Sequence, residues 1–473
     1  MTCSCANATV GRVCSATPVL RLCHTLSSIL SFYSPFYAIK ILYDAFKPLV
    51  FSNGQYWLRY PGLAIVVEQD LNNRITGITN AEYMKHDVII IGAGAAGLMA
   101  MQDLLETGRS VCLLEASSMA GGRIATLTEK GFDRPVETGA EFVHGKLPLT
   151  LSLLDKGGIG YTAVEGHMIS IKQGQWQKNQ APDPHWAAFM RRLNELKTDT
   201  NIEQFLVRHF DGDRYASLRQ AVQHYAEGFD LADTSKASAL AAQLEWGQEP
   251  ETQYRVTGGY SQLVDFLLEE CARLGGVLHF HTCATHITHS PQSVAVQTND
   301  NRVFQAAAVL VTVSAGVLQS GTLQFIPAPD PLFENAIHEL GFGDVIKILL
   351  QFNSAFWTNH STSAGFLLSN EAIPTWWNQL PREDKLLTGW LGGPAASALS
   401  GHTPAALLQT ALNSLSAIFH LSTTDLQAQL THHRVVRWQR HPYIRGGYSY
   451  ETTGAAAAKK ILSHPIHGNI FLA

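Results

Sequence analysis

The sequence predicts an α/β protein in which a parallel sheet flanked by helices shares the chain with a second, α+β domain. Three observations lead there. Residues 88–91 are an uninterrupted apolar run, too short for a membrane span and suited to a strand buried on both faces, and they run straight into Gly92, Gly94 and Gly97. A second run, Val111–Leu114, ends on an acid, Glu115. Helix-periodic segments between 147 and 246 then separate this start from further strand-like runs near 277–280, 294–298 and 308–313.

Each element at the start has a physical reason. The three glycines stand at G-x-G-x-x-G spacing: the first permits a tight turn, the second lets a pyrophosphate approach the backbone, and the third lets helix and strand pack closely. Leu98, Met101, Leu104 and Leu105 recur at helical spacing as far as Gly108, so the free N–H groups and positive dipole end around Ala95 and Ala96 face the phosphates. Glu115, followed by Ala116, lies about 20 residues beyond the glycines, where a carboxylate can accept hydrogen bonds from ribose hydroxyls. Together these mark a Rossmann-like dinucleotide-binding unit. A βαβ unit whose glycines serve only the turn is the plainer alternative.

Gly121-Gly122-Arg123 and the stretch Glu137-Thr138-Gly139-Ala140-Glu141-Phe142-Val143-His144-Gly145 follow. Taken alone, the first could be a glycine-rich loop with a solvated arginine. The pair resembles the flavin amine oxidase family, which includes monoamine, polyamine and L-amino-acid oxidases. The resemblance implies FAD as the cofactor, with Gly121, Gly122 and Arg123 beside its pyrophosphate and flavin, and Gly139, Ala140 and Glu141 among the cofactor-binding residues.

Composition sets outer bounds. The chain has 473 residues, enough for two or three domains, and its 46% hydrophobic and 15% charged content suits a globular protein. A net charge of −5 without a long basic run disfavours nucleic acid as a partner. No internal repeat is visible. Of the seven cysteines, Cys112 and Cys271 fall on apolar faces as small hydrophobes, and no Cys-x-x-Cys pair marks a metal site. His279, His281, His286 and His289 read as strand and turn positions, so no metal is expected.

Residues 1–83 read as an extension of unknown role, added or mis-assigned, poorly ordered or loosely packed. Met84 has the look of a natural start, which would make the protein cytoplasmic. The apolar run 26–39 is diluted by Pro35 and stopped by Lys40, so no clear membrane anchor is expected, and no clean cleavage site supports a signal peptide. Residues 57–67 suggest a short strand pair.

The expected order after that is FAD-binding segment 84–146, helical substrate-domain segment 147–250, FAD-binding segment 251–327, substrate-domain segment 328–436 and FAD-binding segment 437–473. Ala226-Glu227-Gly228-Phe229-Asp230 and Tyr254-Arg255-Val256-Thr257-Gly258-Gly259-Tyr260 resemble the family at corresponding places, and Ala284 falls where family members touch adenine through the backbone. Ser314 stands where a proline is common in the family. Lys347 lies inside an otherwise apolar strand and must find water or a polar partner; a lysine snorkelling from a strand end is the bland alternative. The matching family lysine holds a water beside flavin N5. Of the aromatic residues Phe356, Trp357, Trp376, Trp377 and Trp390, most are expected in the core and one or two could line the pocket. Trp438 through Tyr448 resembles the stretch that returns to the flavin, with Trp438 and Tyr443 near it and Tyr448 matching one wall of the aromatic cage. Gly447 takes a position where some monoamine oxidases carry a flavin-bonded cysteine, so non-covalent FAD is expected.

The resemblance stops at Ala473, in a strand spanning the last residues from Ile461. Family members continue into a Gly-Glu turn and a final helix facing the flavin's pyrimidine end, and the second cage aromatic lies there. The expectation is therefore a C-terminally truncated member that oxidises a small-molecule amine with dioxygen as the electron acceptor, with Lys347 and Tyr448 in catalytic roles. The rivals are a related desaturase or protoporphyrinogen-type oxidase, and a catalytically silent flavin-fold protein. The substrate and the oligomeric state are not legible.

Overall fold

The computed structural model describes residues 49–52, 55–60, 63–67, 85–172, 174–178, 183–247 and 252–473. The chain divides into two units, Met1–Glu82 and Tyr83–Ala473. In the first, Leu49–Ser52, Gln55–Tyr60 and Leu63–Val67 form a three-stranded antiparallel sheet, one strand more than the pair expected at 57–67. The remaining expectations for 1–83 lie outside the described residues.

The second unit begins with the strand Lys85–Ile91, which lies between Val111–Leu114 and Val303–Val311, parallel to both. The whole eight-stranded sheet runs Val277–His279, Val111–Leu114, Lys85–Ile91, Val303–Val311, Ser293–Thr298, Ala284–Ser290 and Gln324–Ile326. The eighth strand, Ile470–Leu472, pairs parallel with the far half of Val303–Val311. Continuous apolar sequence follows from burial on both faces. Ile90, Val111 and Leu113 pack with Leu98 and Met101 of helix Ala95–Glu106 and with Leu263, Leu267 and Cys271 of helix Ser261–Arg273. Ile89, Ile91, Cys112 and Leu114 pack on the opposite side with Phe333, Ile337, Ala458 and Leu462. Burial raises the Cys112 and Cys271 thiols to about 12 and about 11, leaving them inert packing groups.

The second sheet has seven strands in the order Gln175–Lys178, His167–Lys172, Ala364–Leu368, Thr375–Trp377, Leu386–Gly392, Val345–Phe352 and Leu430–Arg437. Its two faces are chemically different. Ile346, Ile348, Leu350, Trp376, Leu387 and Leu391 pack against Leu407, Leu412, Leu415 and Phe419 of helix Pro404–Phe419. The other face carries Lys347 directly opposite Trp390, and Thr388 directly opposite both Leu349 and Trp377.

Two expectations are corrected. The stretch after 147 is not helical throughout: after helix Pro148–Lys156 the chain forms Tyr161–Ala163, His167–Lys172 and Gln175–Lys178, because Ile169 and Ile171 alternate into the second core and the helical pattern starts only at Trp186. Near the end, Ile461 and Leu462 belong to helix Ala455–Leu462, and the strand is confined to Ile470–Leu472. The apolar stripe Ala455, Ala458 and Leu462 needs helical spacing to reach the core.

The helical block comprises Trp186–Asn194, Ile202–His209, Ala216–Phe229 and Ala239–Trp246, packed on Phe189, Phe205, Leu218, Val222 and Ala226. Asn201 and Ser238 cap two of these helices by accepting from Gln204 N and Ala241 N. Asp230, at the end of Ala216–Phe229, accepts from Trp246 Nε1 at 2.8 Å and so ties the third and fourth of these helices together.

Two stability measurements test this packing. A Cβ on Gly97 would lie 1.9 Å from the Gly92 carbonyl oxygen, whereas one on Gly94 meets nothing within 4 Å. Gly97→Ala is expected to lose about 2–3 kcal/mol in urea unfolding, and Gly94→Ala close to nothing. Burial, with help from Glu245, pushes the Asp230 carboxyl up to about 7. A raised acid binds its proton more tightly when folded, so stability is lost as pH rises from the ordinary carboxylate range to about 7. Asp230→Asn keeps the acceptor for Trp246. It should gain on the order of 1–2 kcal/mol at pH 8, discounted for partial solvent access, and nothing below about pH 4, read as the unfolding midpoint against pH.

Candidate active site

The glycine-rich turn is held from below by Glu115. Its Oε2 accepts from Ala93 N and its Oε1 from Ser117 N, both at 2.7 Å, so the side chain expected at a ribose also fixes the loop that would hold the phosphates. Gly92 N donates to Leu114 O at 2.9 Å. Gly92 has φ +108°, and Thr312 Oγ1, which donates to the Gly92 carbonyl, leaves no room there for a side chain. Helix Ala95–Glu106 starts at Gly94 with no side-chain cap and no acid in its first turn, leaving the N–H groups around Ala95, Ala96 and Gly97 for an external anion. The second glycine turn abuts the first: Gly121 N donates to Ala93 O at 2.8 Å, and a Cβ on Gly122 would sit 3.6 Å from Gly94 Cα. Ala116 lies between the two residues that close the Glu115 turn. Ala284 starts its strand two residues after Thr282, whose N donates to Glu115 O at 2.8 Å.

Arg123 extends from these glycines to donate from Nη1 to Gly447 O at 2.9 Å. It is accessible to solvent, and partial burial by its surroundings lowers its pKa. Among the described residues it has no carboxylate partner. Ala140 is likewise accessible between the buried residues Val136 and Glu141. Its N donates to Arg123 O, and Gly139 lies so close to the same carbonyl that a Cβ would overlap it at 1.9 Å. Trp438 is buried against Gly139 and donates from Nε1 to Thr138 O at 3.0 Å. Uncapped helix N–H groups, a glycine turn open at Gly94 and a guanidinium without a carboxylate partner among the described residues fit a dinucleotide pyrophosphate.

A charged knot adjoins Gly139. Glu141 Oε2 accepts from Lys347 Nζ at 2.9 Å. Its Oε1 accepts from Arg255 Nε at 2.9 Å, Trp377 Nε1 at 2.9 Å and Gln379 Nε2 at 3.0 Å. Lys347, 1% exposed, also donates to Gly139 O at 3.1 Å, and its ammonium lies 5.6 Å from the Trp377 ring centroid. Burial on its own would raise the Glu141 pKa, but Lys347 and Arg255 overcome it and hold the carboxyl at about 2. Burial instead raises Glu137, which accepts from Tyr260 N and Thr126 Oγ1. Arg255 is anchored separately by Leu380 O and Asn378 O, with the Phe142 ring 4.7 Å from its guanidinium.

Aromatic walls surround the knot. Trp377 contacts Phe142, Phe366 and Trp390, and His144 meets Phe229 edge-on at 6.3 Å. Helix Ala216–Phe229 ends here, and its last carbonyls are taken by two aromatic donors: Trp390 Nε1 to Gly228 O at 2.8 Å and Tyr448 OH to Phe229 O at 2.5 Å. Burial pushes the Tyr448 hydroxyl pKa up, which keeps it a neutral donor. Tyr448, Trp390, Trp438 and Val345 share one cluster, while Tyr443 is exposed beside His441. Ser314, in place of the family's proline, caps helix Ala315–Gln319 and donates to Ile444 O, tying that turn to the Trp438–Tyr448 stretch.

The structure thus brings Gly92 to Gly97, Glu115, Gly121 to Arg123 and Ala284 to one end of a cleft, and Gly139 to Glu141, Lys347, Trp438 and Tyr448 to the other. In the sequence Glu137 and Arg255 stand inside recognisable motifs with no role evident for either, and nothing marks Gln379. Arg255 carried a signal: like Lys347, it is a charge flanked by strand-forming residues, and two such charges call for a buried partner.

The comparisons with known proteins agree with this geometry. Residues 95–473 match the flavin containing amine oxidoreductase family. Lysine-specific histone demethylase 1B of Mus musculus is 26% identical over 422 residues, covering 83% of this chain and 50% of that protein. Polyamine oxidase 2 of Arabidopsis thaliana is 28% identical over 303 residues, covering 57% of this chain and 59% of that protein. The chain spans about half the length of the curated relatives it matches. A solved structure of putrescine oxidase bound to putrescine superposes with a TM-score of 0.70 at 20% identity, covering 82% of this chain and 93% of that one, which shows a shared fold. With a match over most of its length, the chain belongs to the flavin-containing amine oxidoreductase family.

Proposed function

We propose that the protein oxidises a small-molecule alkylamine with FAD as cofactor and dioxygen as the final acceptor. The observation that carries this reading is Lys347, an ammonium 1% exposed on the sheet face shared with Trp377 and Trp390, bonded to Gly139 at the edge of the candidate cofactor cleft. The relatives' names cover polyamine, putrescine and histone lysine, and all of these are alkylamines.

On this reading residues 84–146, 251–327 and 437–473 build the FAD-binding domain, and 147–250 and 328–436 the substrate domain. Gly92, Gly94, Ala95, Ala96 and Gly97 present N–H groups to the pyrophosphate, and Arg123 neutralises it. Glu115 and Ala116 hold the adenosine ribose, and the Ala284 backbone meets adenine. Gly121, Gly122, Gly139, Ala140 and Trp438 bound the flavin cleft, and Gly447 offers no side chain for a covalent bond. FAD bound there would supply a two-electron acceptor for hydride from the carbon beside the amine nitrogen, with dioxygen as the final acceptor and hydrogen peroxide as its product. Tyr448 and Trp390, pinned on the end of helix Ala216–Phe229, supply apolar walls that favour the neutral amine over the ammonium. Lys347 holds a water through the ammonium proton that Glu141 and Gly139 leave free. The imine product is hydrolysed by water to an aldehyde or ketone plus ammonia or a smaller amine.

Purified protein should show flavin absorbance and release peroxide with members of an alkylamine panel. Lys347→Met should retain flavin and slow reduction or reoxidation by roughly tenfold or more in stopped flow. Bound flavin without peroxide from any amine would sink the amine reading. Unchanged rates in Lys347→Met would remove the lysine from the mechanism.

A further inference from the structure

Lys347 poses a problem that its placement beside the cleft does not solve. A lysine ammonium with almost no exposure inside an apolar strand is costly unless a counter-ion is fixed within hydrogen-bond reach, and that counter-ion must not simply take the proton. Glu141 meets the first condition at 2.9 Å. Arg255 meets the second: it donates to the other carboxylate oxygen, and each of its two terminal nitrogens is anchored by a backbone carbonyl, Leu380 O and Asn378 O, which holds the guanidinium in place. If Glu141 took the lysine proton, a buried guanidinium would lose its counter-ion, and Oε1 would lose much of its capacity to accept from Trp377 and Gln379.

We propose that Glu141 is a positioning residue that fixes Lys347 as an ammonium, and that Arg255 is the second cation that keeps Glu141 ionised. This inference rests on the reading of Lys347 given above. It assigns the Glu141 side chain a role distinct from contact with the cofactor, since four protein donors already converge on its two oxygens. It also defines what Lys347 can do. Two of its three protons are committed to Glu141 Oε2 and Gly139 O, which leaves one for a further acceptor, so Lys347 acts as a hydrogen-bond donor and not as a base. The other charged or titratable groups around the knot are Glu137, which faces Lys347 from the segment bearing Glu141, Tyr260 beside Glu137, and Arg382 and Asp384, which act on Arg255 from the loop after Trp377.

The test uses charge deletion in pairs, with Glu141→Gln, Arg255→Gln, the double variant, Glu141→Asp and Lys347→Met. In flavin-free protein at pH 7, Glu141→Gln leaves two cations facing each other and should lower the urea midpoint more than the double variant does, whereas a merely structural role makes the double variant the least stable. In holoenzyme reduced with dithionite, the rate of reoxidation by oxygenated buffer is followed against pH, a readout that needs no amine. Glu141→Gln should move the alkaline limb to lower pH by about one unit or more. Removing Arg255 as well should move it back, and Glu141→Asp should keep it near the wild-type position. A limb absent in Lys347→Met but unmoved in Glu141→Gln overturns this inference alone. A wild-type profile in Lys347→Met overturns the Lys347 reading and this inference with it. A double variant less stable than Glu141→Gln overturns the inference even if no variant retains flavin.

Discussion

One ionised carboxylate, Glu141, is the constraint on which the rest of the site depends. Removing a carboxylate and two cations from water costs several kcal/mol per ion, which is recovered only if the geometry is good and every remaining lone pair is used. The structure meets that demand with four donors from four side chains, at 2.9 to 3.0 Å. Those donors come from strands Gln253–Val256, Val345–Phe352 and Thr375–Trp377 and the loop after it, so the carboxylate fixes how these elements meet at the segment following Gly121-Gly122-Arg123. Phe142, the residue after Glu141, then lies against the Arg255 guanidinium and near Trp377, and the aromatic lining inherits its position from the ionic one.

A second constraint acts from the opposite side. The last carbonyls of helix Ala216–Phe229 have no intrahelical partner and would be costly to leave dry. Trp390 and Tyr448 satisfy two of them, and each ring is held by that bond in addition to its packing. A wall built this way is both apolar and rigid, because the polar end of each ring points into the helix terminus and the face remains for the cleft. Lys347 and Trp390 are direct neighbours across the sheet, so the ionic knot and the capped helix are joined through one strand pair.

How much of this was legible depended on the sequence distance over which each feature acts. The glycine turn, the helix after it and Glu115 lie within about 25 residues and follow from local rules. The buried parallel strands were legible because burial on both faces removes polar residues from the run. Lys347 was conspicuous as a charge in an apolar strand. Its partners were not, since Glu141 lies 114 residues from Arg255, 236 from Trp377 and 238 from Gln379, and no periodicity links them. The strands His167–Lys172 and Gln175–Lys178 were hidden for a different reason: only Ile169 and Ile171 carry the alternation, too short a pattern to outweigh the helices that follow. The anchors for Trp390 and Tyr448 are backbone carbonyls, which every residue has and no sequence pattern marks.

The sign of the charge around the cleft follows from these placements and bears on the proposed chemistry. Arg255 and Lys347 bring two cations to the floor of the cleft against one ionised carboxylate, Glu141, while burial biases Glu137 toward its neutral form and Arg123 is assigned to the pyrophosphate. On the proposed reading, the Lys347 ammonium disfavours a second ammonium beside it, so an alkylamine bound between Tyr448 and Trp390 would be more stable after losing its proton. The same ammonium would favour negative charge accumulating on a ring lying along Gly139 and Trp438 when two electrons arrive. Had Lys347 been neutral, or Glu141 free to take its proton, the balance would shift away from both effects. On the proposed reading, the ionic knot that fixes how these elements meet also sets the electrostatic conditions for amine oxidation.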